Sequence, residues 1–285
     1  MHPAARLKVR ANNLRWRLAG HMRPLPEGFA APLDGLRGLE LGGPSDRFGA
    51  GGVWPLYPRL ASCDAVQFRA QTAWHSLDER APYAPDGRPL GRLHVIEGGR
   101  LDGLPDDSWE VVLSSHVIEH IANPLAELEA WRRVLVPEGW IAMVAPHKEG
   151  TFDHRRPVTT LEHMVADHEA GTGEDDLTHL EESLRLHDYS RDVSAPPQGW
   201  EAERRDNFNT RLLHHHVFDG EALIRLLDRA GVQIHRFVVR HPFDIHVLGR
   251  FAPAGARPDN RALLAADAPW RARSPFAGDR VVRGA

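Results

Sequence analysis

Three features of the chain predict an α/β fold built on a mostly parallel sheet. From Gly38 onward, short apolar runs alternate with helical patterns, the rhythm of strand-helix-strand units. The first run, Leu39-Glu40-Leu41, breaks into a glycine-rich turn at Gly42-Gly43-Pro44-Ser45. The last two runs, 232–240 and 244–251, lie close enough in sequence to pair as an antiparallel hairpin.

Between those ends, residues 63–68 read as the second strand, 93–97 as the third, 111–114 as the fourth and 140–144 as the fifth. Asn123 caps a helix that carries Pro124 at its first position, where a missing N–H leaves nothing unsatisfied. That helix runs through Leu135, and Val136-Pro137-Glu138-Gly139 ends it. After Pro146 the strand rhythm stops. Thr159-x-x-Glu162 and Thr178-x-x-Glu181 match capping boxes, so short helices are expected at 161–169 and 179–187. The rhythm returns with an amphipathic helix over 219–230, stopped by Gly231. The organisation expected is an N-terminal helix and linker over 1–36, one domain over 37–252 with an insertion at 148–211, and a tail over 253–285.

Composition narrows the function. The chain has 285 residues, 42% hydrophobic and 26% charged, enough for one elaborated globular domain. Net charge is −4, and no basic stripe interleaved with aromatics is present, which argues against a nucleic-acid partner. No run approaches the roughly eighteen apolar residues of a membrane span. The basic N-terminus has no apolar stretch after it, so no secretory signal is read and a cytoplasmic location is expected. Cys63 is the only cysteine, and it reads as a packed strand residue.

A turn without side chains lets a ligand lie against bare backbone. The dinucleotide pattern G-x-G-x-x-G is absent, and Glu40 beside the turn suits a cationic ligand better than a pyrophosphate. Some seventy residues on comes Trp109-Glu110-Val111-Val112-Leu113-Ser114-Ser115-His116-Val117-Ile118-Glu119-His120, followed by Asn123-Pro124-Leu125 and Pro137-Glu138-Gly139. Together, over roughly Gly38 to Pro146, these stretches resemble the class I S-adenosylmethionine-dependent methyltransferases (type 11-like). The resemblance implies a Rossmann-like class I methyltransferase fold, a seven-stranded sheet closed by the terminal hairpin, and S-adenosyl-L-methionine as cofactor.

In open α/β sheets, ligands sit beyond the carboxyl ends of the strands. Reading those ends gives Glu40, Gly42, Gly43 and Pro44 after strand one, Gln67 after strand two, Glu97 and Gly98 after strand three, and Ser115 and His116 after strand four. The resembled family usually has an acid for the ribose hydroxyls where this chain has Gln67. An amide can also donate to and accept from hydroxyls, with Asp64 as the competing assignment. The resemblance implies that Glu97 meets the adenine amino group and that Ser115 and His116 lie beside the methionine part. Glu119 and His120 could simply brace the next turn, and Trp74 could stack on adenine or be core. Arg6 to Leu18 could lie across the cofactor mouth or form a solvated helix.

The chemistry implied is in-line attack on a sulfonium methyl group. Positioning supplies most of the rate, up to roughly 7–11 kcal/mol. For a hydroxyl or amine acceptor, a base adds roughly a hundredfold or more. Nine of the 18 histidines fall between His147 and His216. The sharpest cluster, His147 to Pro157, names His147, Asp153 and His154 as catalytic candidates, with Arg155 and Arg156 able to clamp an anionic acceptor. The bland alternative is a loop whose acids and arginines pair with one another.

His214-His215-His216, with His154, His163, His179 or Asp153, could bind a divalent metal, but no fixed spacing supports it and none is expected. His163 and Asp167, four apart, read as ordinary helix-surface pairing. The expected activity is methyl transfer to a small or glycan-like acceptor at oxygen or nitrogen. The alternatives are a metal-dependent oxygenase or hydrolase, and a non-catalytic protein that keeps the cofactor fold.

Overall fold

The computed structural model describes residues 16, 18, 20, 21, 23–96, 100–192 and 199–281. Its strands are β1 (Arg37–Leu41), β2 (Ser62–Gln67), β3 (Leu93–Val95), β4 (Trp109–Ser115), β5 (Leu135–Pro146), β6 (Val232–Arg240) and β7 (Asp244–Phe251). They form one sheet in the order β3-β2-β1-β4-β5-β7-β6. The first five are parallel, and β7 runs antiparallel to both β5 and β6. The chain steps outward from β1 to β3 and then returns to β4, so a crevice opens beyond the carboxyl ends of β1 and β4.

Strand alternation assigns side chains to two cores. Leu39, Leu41, Val112, Ile141 and Met143 face one side, while Val111, Leu113, Ala142 and Val144 face the other. The first face is covered by helices α1 (Pro124–Val134) and α6 (Gly220–Arg229), which bury Leu128, Trp131, Leu223 and Leu227 against it. As the sequence predicts, Asn123 caps α1 through the Ala126 N–H; Asp219, expected as the first residue of α6, instead caps it through the Ala222 N–H.

The second face departs from the expected rhythm. Neither the β1-to-β2 nor the β2-to-β3 connection contains an α-helix. Gly49, Gly51, Gly52, Pro55 and Pro58 fall within ten residues, a density that a helix does not tolerate. Packed aromatics take the place of the helix. Phe48, Trp54 and Tyr57 join Phe29 and Leu33, from before β1, in a buried layer. Residues 23–36 are therefore part of the core rather than a linker. Cys63 is buried in the same layer, as predicted.

The insertion holds α2 (Leu161–Ala170), α3 (Leu180–Leu186), α4 (Trp200–Arg205) and α5 (Asn207–Thr210). Both long helices fall where the sequence places them, but their caps differ. Thr160, not Thr159, accepts the His163 N–H at the start of α2. His179 precedes α3 without a side-chain cap.

The expected tail also packs. It contains α7 (Arg261–Leu264) and α8 (Pro269–Arg273), and it buries Trp270 and Phe276 in the helix-covered core. Arg271 inside it bonds Glu221 of α6 at 2.8 Å. No helix among the described residues is long and apolar enough to cross a membrane.

Candidate active site

A cleft of about 1150 Å³ opens at the carboxyl ends of the strands. Gly42 and Pro44 after β1, Gln67 at the end of β2, and Ser115 and His116 after β4 all line it. Ile96, just past β3, lines it too. Glu97 and Gly98 lie outside the described residues. Asp64 is not in the cleft: it sits further back along β2, where it accepts from Trp109 Nε1 and the Arg92 N–H. Gln67 is thus the residue at the strand-two position.

The turn after β1 is held from below. Gly42 has φ +71°, and a Cβ there would come within 2.8 Å of Val117. A Cβ on Gly43 would overlap the Glu40 carboxyl group. Glu40 does not line the cleft. Its buried carboxylate accepts from both Tyr57 and Tyr83 hydroxyls, at 2.9 and 2.5 Å, and from the Ser45 N–H at 3.1 Å. Burial pushes its pKa up to about 7, against the lowering effect of those hydrogen bonds. Gln67 ties down the other side by donating to the Gly43 carbonyl, and Ser45 Oγ lies 3.0 Å from Ser115 Oγ.

His116 has φ +55°, a conformation uncommon outside glycine, and its N–H donates to Val144 of β5. The register Pro146↔Asp244 brings Asp244 to the same edge. There Asp244 Oδ1 lies 3.0 Å from His116 Nε2, and Arg47 bonds both of its oxygens. Burial alone would raise the Asp244 carboxyl, but Arg47 and His116 hold it far below the ordinary range. His116 is therefore committed to the cleft wall.

The insertion forms the opposite wall, and it separates the three catalytic candidates. His147 is fully buried and stacked on Phe276; its Nε2 lies 3.1 Å from Asp279, and its Nδ1 accepts the Glu149 N–H. It is a clasp for the C-terminal segment, with no nitrogen left for a substrate. His154 pairs with Asp188 at 2.8 Å and does not line the cleft. Arg156 is buried on Asp153 and Glu182, and Arg155 sits beside Asp188, so the paired-loop alternative describes much of this segment.

Asp153 behaves differently. It is buried, and its Oδ2 lies 2.5 Å from Nδ1 of His214, which does line the cleft. Burial would raise the Asp153 carboxyl, but His214 and Arg156 hold it well below the usual range. An ionised carboxylate only accepts, so the Nδ1 facing it carries a proton, and in the neutral imidazole Nε2 is the nitrogen that holds the lone pair.

Glu119 and His120, which the sequence reads as braces of the next turn, also line the cleft beside this pair. Glu119 lines the cleft, is almost fully buried, and its Oε2 has no hydrogen-bond partner among the described residues. Burial raises its pKa. His120 Nδ1 lies 3.2 Å from the Leu213 carbonyl, and burial pushes that imidazole well below its ordinary value. Arg204 also faces the cleft, stacked 3.8 Å over Trp200, with its pKa lowered to about 10 by burial. Trp74 lines the cleft 42% exposed, so it is not core. Trp16 reaches the same mouth against Phe243, at 5.6 Å between rings, while Arg6 to Arg15 lie outside the described residues.

The fold and the cleft define an α/β framework whose cavity opens at the strand ends between β1 and β4. A family model described as a methyltransferase domain matches residues 37–236. The chain belongs to that family, as a class I S-adenosylmethionine-dependent methyltransferase, and its cofactor is S-adenosyl-L-methionine. Among curated proteins no sequence match was found.

Solved structures similar to it include a SAM-dependent methyltransferase from Aquifex aeolicus, at 15% identity over 79% of this chain and 87% of that one, TM-score 0.42. A SAM-dependent methyltransferase from Methanosarcina mazei matches at 11% identity over 81% and 99%, TM-score 0.44. The N-methyltransferase NodS from Bradyrhizobium japonicum, in complex with S-adenosyl-L-homocysteine, matches at 9% over 78% and 82%, TM-score 0.41.

Proposed function

We propose that the chain methylates a small or glycan-like acceptor at oxygen or nitrogen, with His214 as general base and Asp153 as the residue that orients it. The observation that carries this reading is the Asp153–His214 pair, whose imidazole lines the cleft. The cofactor supplies an electrophilic methyl group on a sulfonium centre. The residues at the strand ends suit it. Gly42 leaves backbone bare, Gln67 keeps its amide oxygen and one N–H for hydroxyls, and the unpartnered Glu119 Oε2 is an acceptor for a buried ammonium.

The acceptor would enter from the insertion side. Arg191, Arg204 and Glu174 line that wall and favour a hydroxylated or anionic molecule over a flat apolar one. His214 takes the acceptor proton at Nε2 as the new bond to carbon forms. The imidazolium so made is stabilised by Asp153, which lies out of contact with solvent.

The test is transfer of labelled methyl from S-adenosylmethionine to panels of hydroxylated, amine and carbon acceptors, by wild type and by His214→Asn. Label on oxygen or nitrogen, lost in the variant while S-adenosylhomocysteine affinity is kept, supports the reading. Transfer to carbon, or unchanged turnover in the variant, overturns it.

A further inference from the structure

A second cluster of imidazoles lies outside the cleft. His163 and Asp167 are one turn apart on α2 and share a face. His179, just before α3, and His216, on the segment leading to α6, converge on the same point. His163 Nε2 lies 2.9 Å from His179 Nε2 and 3.3 Å from Asp167 Oδ2. His216 Nε2 lies 3.9 Å from the same carboxylate oxygen. One ligand atom from each of the four fits within 4.8 Å of all the others. None of the four lines the cleft.

A hydrogen-bond network explains this cluster poorly. One proton can bridge the two facing imidazole nitrogens, but Asp167 Oδ2 is buried among the rings and has no hydrogen-bond partner among the described residues. A buried carboxylate oxygen without a donor is costly unless a cation meets it. The spacing fits such a cation. With bonds of about 2.0–2.1 Å to nitrogen and oxygen, the ligand atoms of a tetrahedral zinc ion lie roughly 3.3–3.4 Å apart. The separations of 2.9, 3.3 and 3.9 Å straddle that value.

We propose that His163, Asp167, His179 and His216 bind one divalent metal ion of the zinc class in a structural role. Three imidazoles and one carboxylate fill a tetrahedral shell and leave no open position for a substrate, which separates this site from a catalytic one. His216 Nε2 now sits 3.1 Å from the Ala122 carbonyl, so ligation exchanges that contact for the metal. Entry is from the His163 side, where the side chain is 42% exposed. The ion would tie α2, the start of α3 and the segment of His216 together. It would thereby steady His214, two residues away in the cleft wall.

The cleft holds a competing trio, Glu119, His120 and His214, whose ligand atoms also lie within 4.8 Å of one another. The experiment distinguishes the two. The full chain is stripped with a chelator, checked for retained fold by circular dichroism, dialysed against zinc and assayed for bound metal. Expected are one zinc per chain in wild type and in Glu119→Gln, and affinity weakened at least about a hundredfold in His163→Ala and Asp167→Asn. His163 is exposed enough that its truncation leaves the core intact, and the wild-type stoichiometry needs no variant. Substoichiometric zinc in the folded wild type, or zinc lost in Glu119→Gln but kept in His163→Ala, overturns the proposal.

Discussion

On the strand side of the cleft, the ligand-facing groups are mostly backbone and short side chains at the ends of β1, β2 and β4; on the insertion side they are imidazoles, arginines and acids. The strand wall is preformed by the sheet: backbone pairing holds Gly42 to Val66, Gln67 to Val95 and Ser115 to Val144. The insertion wall is held together by its own charges: Asp153 with His214 and Arg156, and Arg156 with Glu182. Substitutions on the first wall are therefore expected to change cofactor binding and stability, and those on the second to change turnover.

The largest effect expected tests the insertion wall. His214→Asn should lower kcat by roughly 10²- to 10⁴-fold with little change in S-adenosylmethionine affinity, measured by steady-state kinetics and calorimetry. Loss of affinity in place of turnover would erase the contrast between the walls.

Next is the acid beneath the strand wall. The folded pKa of Glu40, about 7, lies above its ordinary 4.5, so folding favours the protonated form. Its contribution is complete below about pH 4.5 and is lost as the pH rises through 7, a difference of about 3 kcal/mol at most. Denaturant titrations at pH 5 and pH 8 should show this slope in wild type, and Glu40→Gln should flatten it. An identical slope in both proteins assigns it elsewhere. Asp153 and Asp244, whose pKa values are depressed, act in the opposite sense: their contributions hold above pH 4 and disappear only in stronger acid.

Gly43→Ala should destabilise the chain by roughly 1–3 kcal/mol and weaken S-adenosylhomocysteine binding, because the added methyl overlaps the Glu40 carboxyl group, itself locked by two tyrosines. Denaturation midpoints and calorimetry would record both effects, and wild-type values for both would mean that the turn has room to spare.

The smallest effect expected is at Trp74, an exposed ring 5.3 Å from His120. Its replacement by Ala should cost roughly 0.5–1.5 kcal/mol of ligand affinity and leave stability unchanged. A stability loss would instead make it a packing residue.

Legibility in the sequence follows the same division. Strand positions and strand ends can be read because apolar runs and the Gly42-Gly43 turn are local signals, and five of the nine cofactor positions chosen from them line one cleft. Glu40, read from the sequence as a cofactor residue, adjoins the turn but does not line the cleft, because its carboxyl group is taken up by Tyr57 and Tyr83. The histidines could not be sorted. His147, the most prominent by position, is a buried clasp on Asp279, 132 residues later. His214 acquires its partner from 61 residues earlier.

Periodicity, glycines and caps were enough to specify an α/β sheet and the strand ends that line its crevice, because those depend on backbone geometry that neighbouring residues dictate; the methyltransferase reading came from the resemblance carried by the motifs. Which imidazole faces the cleft, which meets a carboxylate in the interior, and how the β1-to-β3 half packs without helices were settled by tertiary structure. Pairing between residues far apart in the chain depends on where the insertion folds back over the sheet, and no local pattern encodes that.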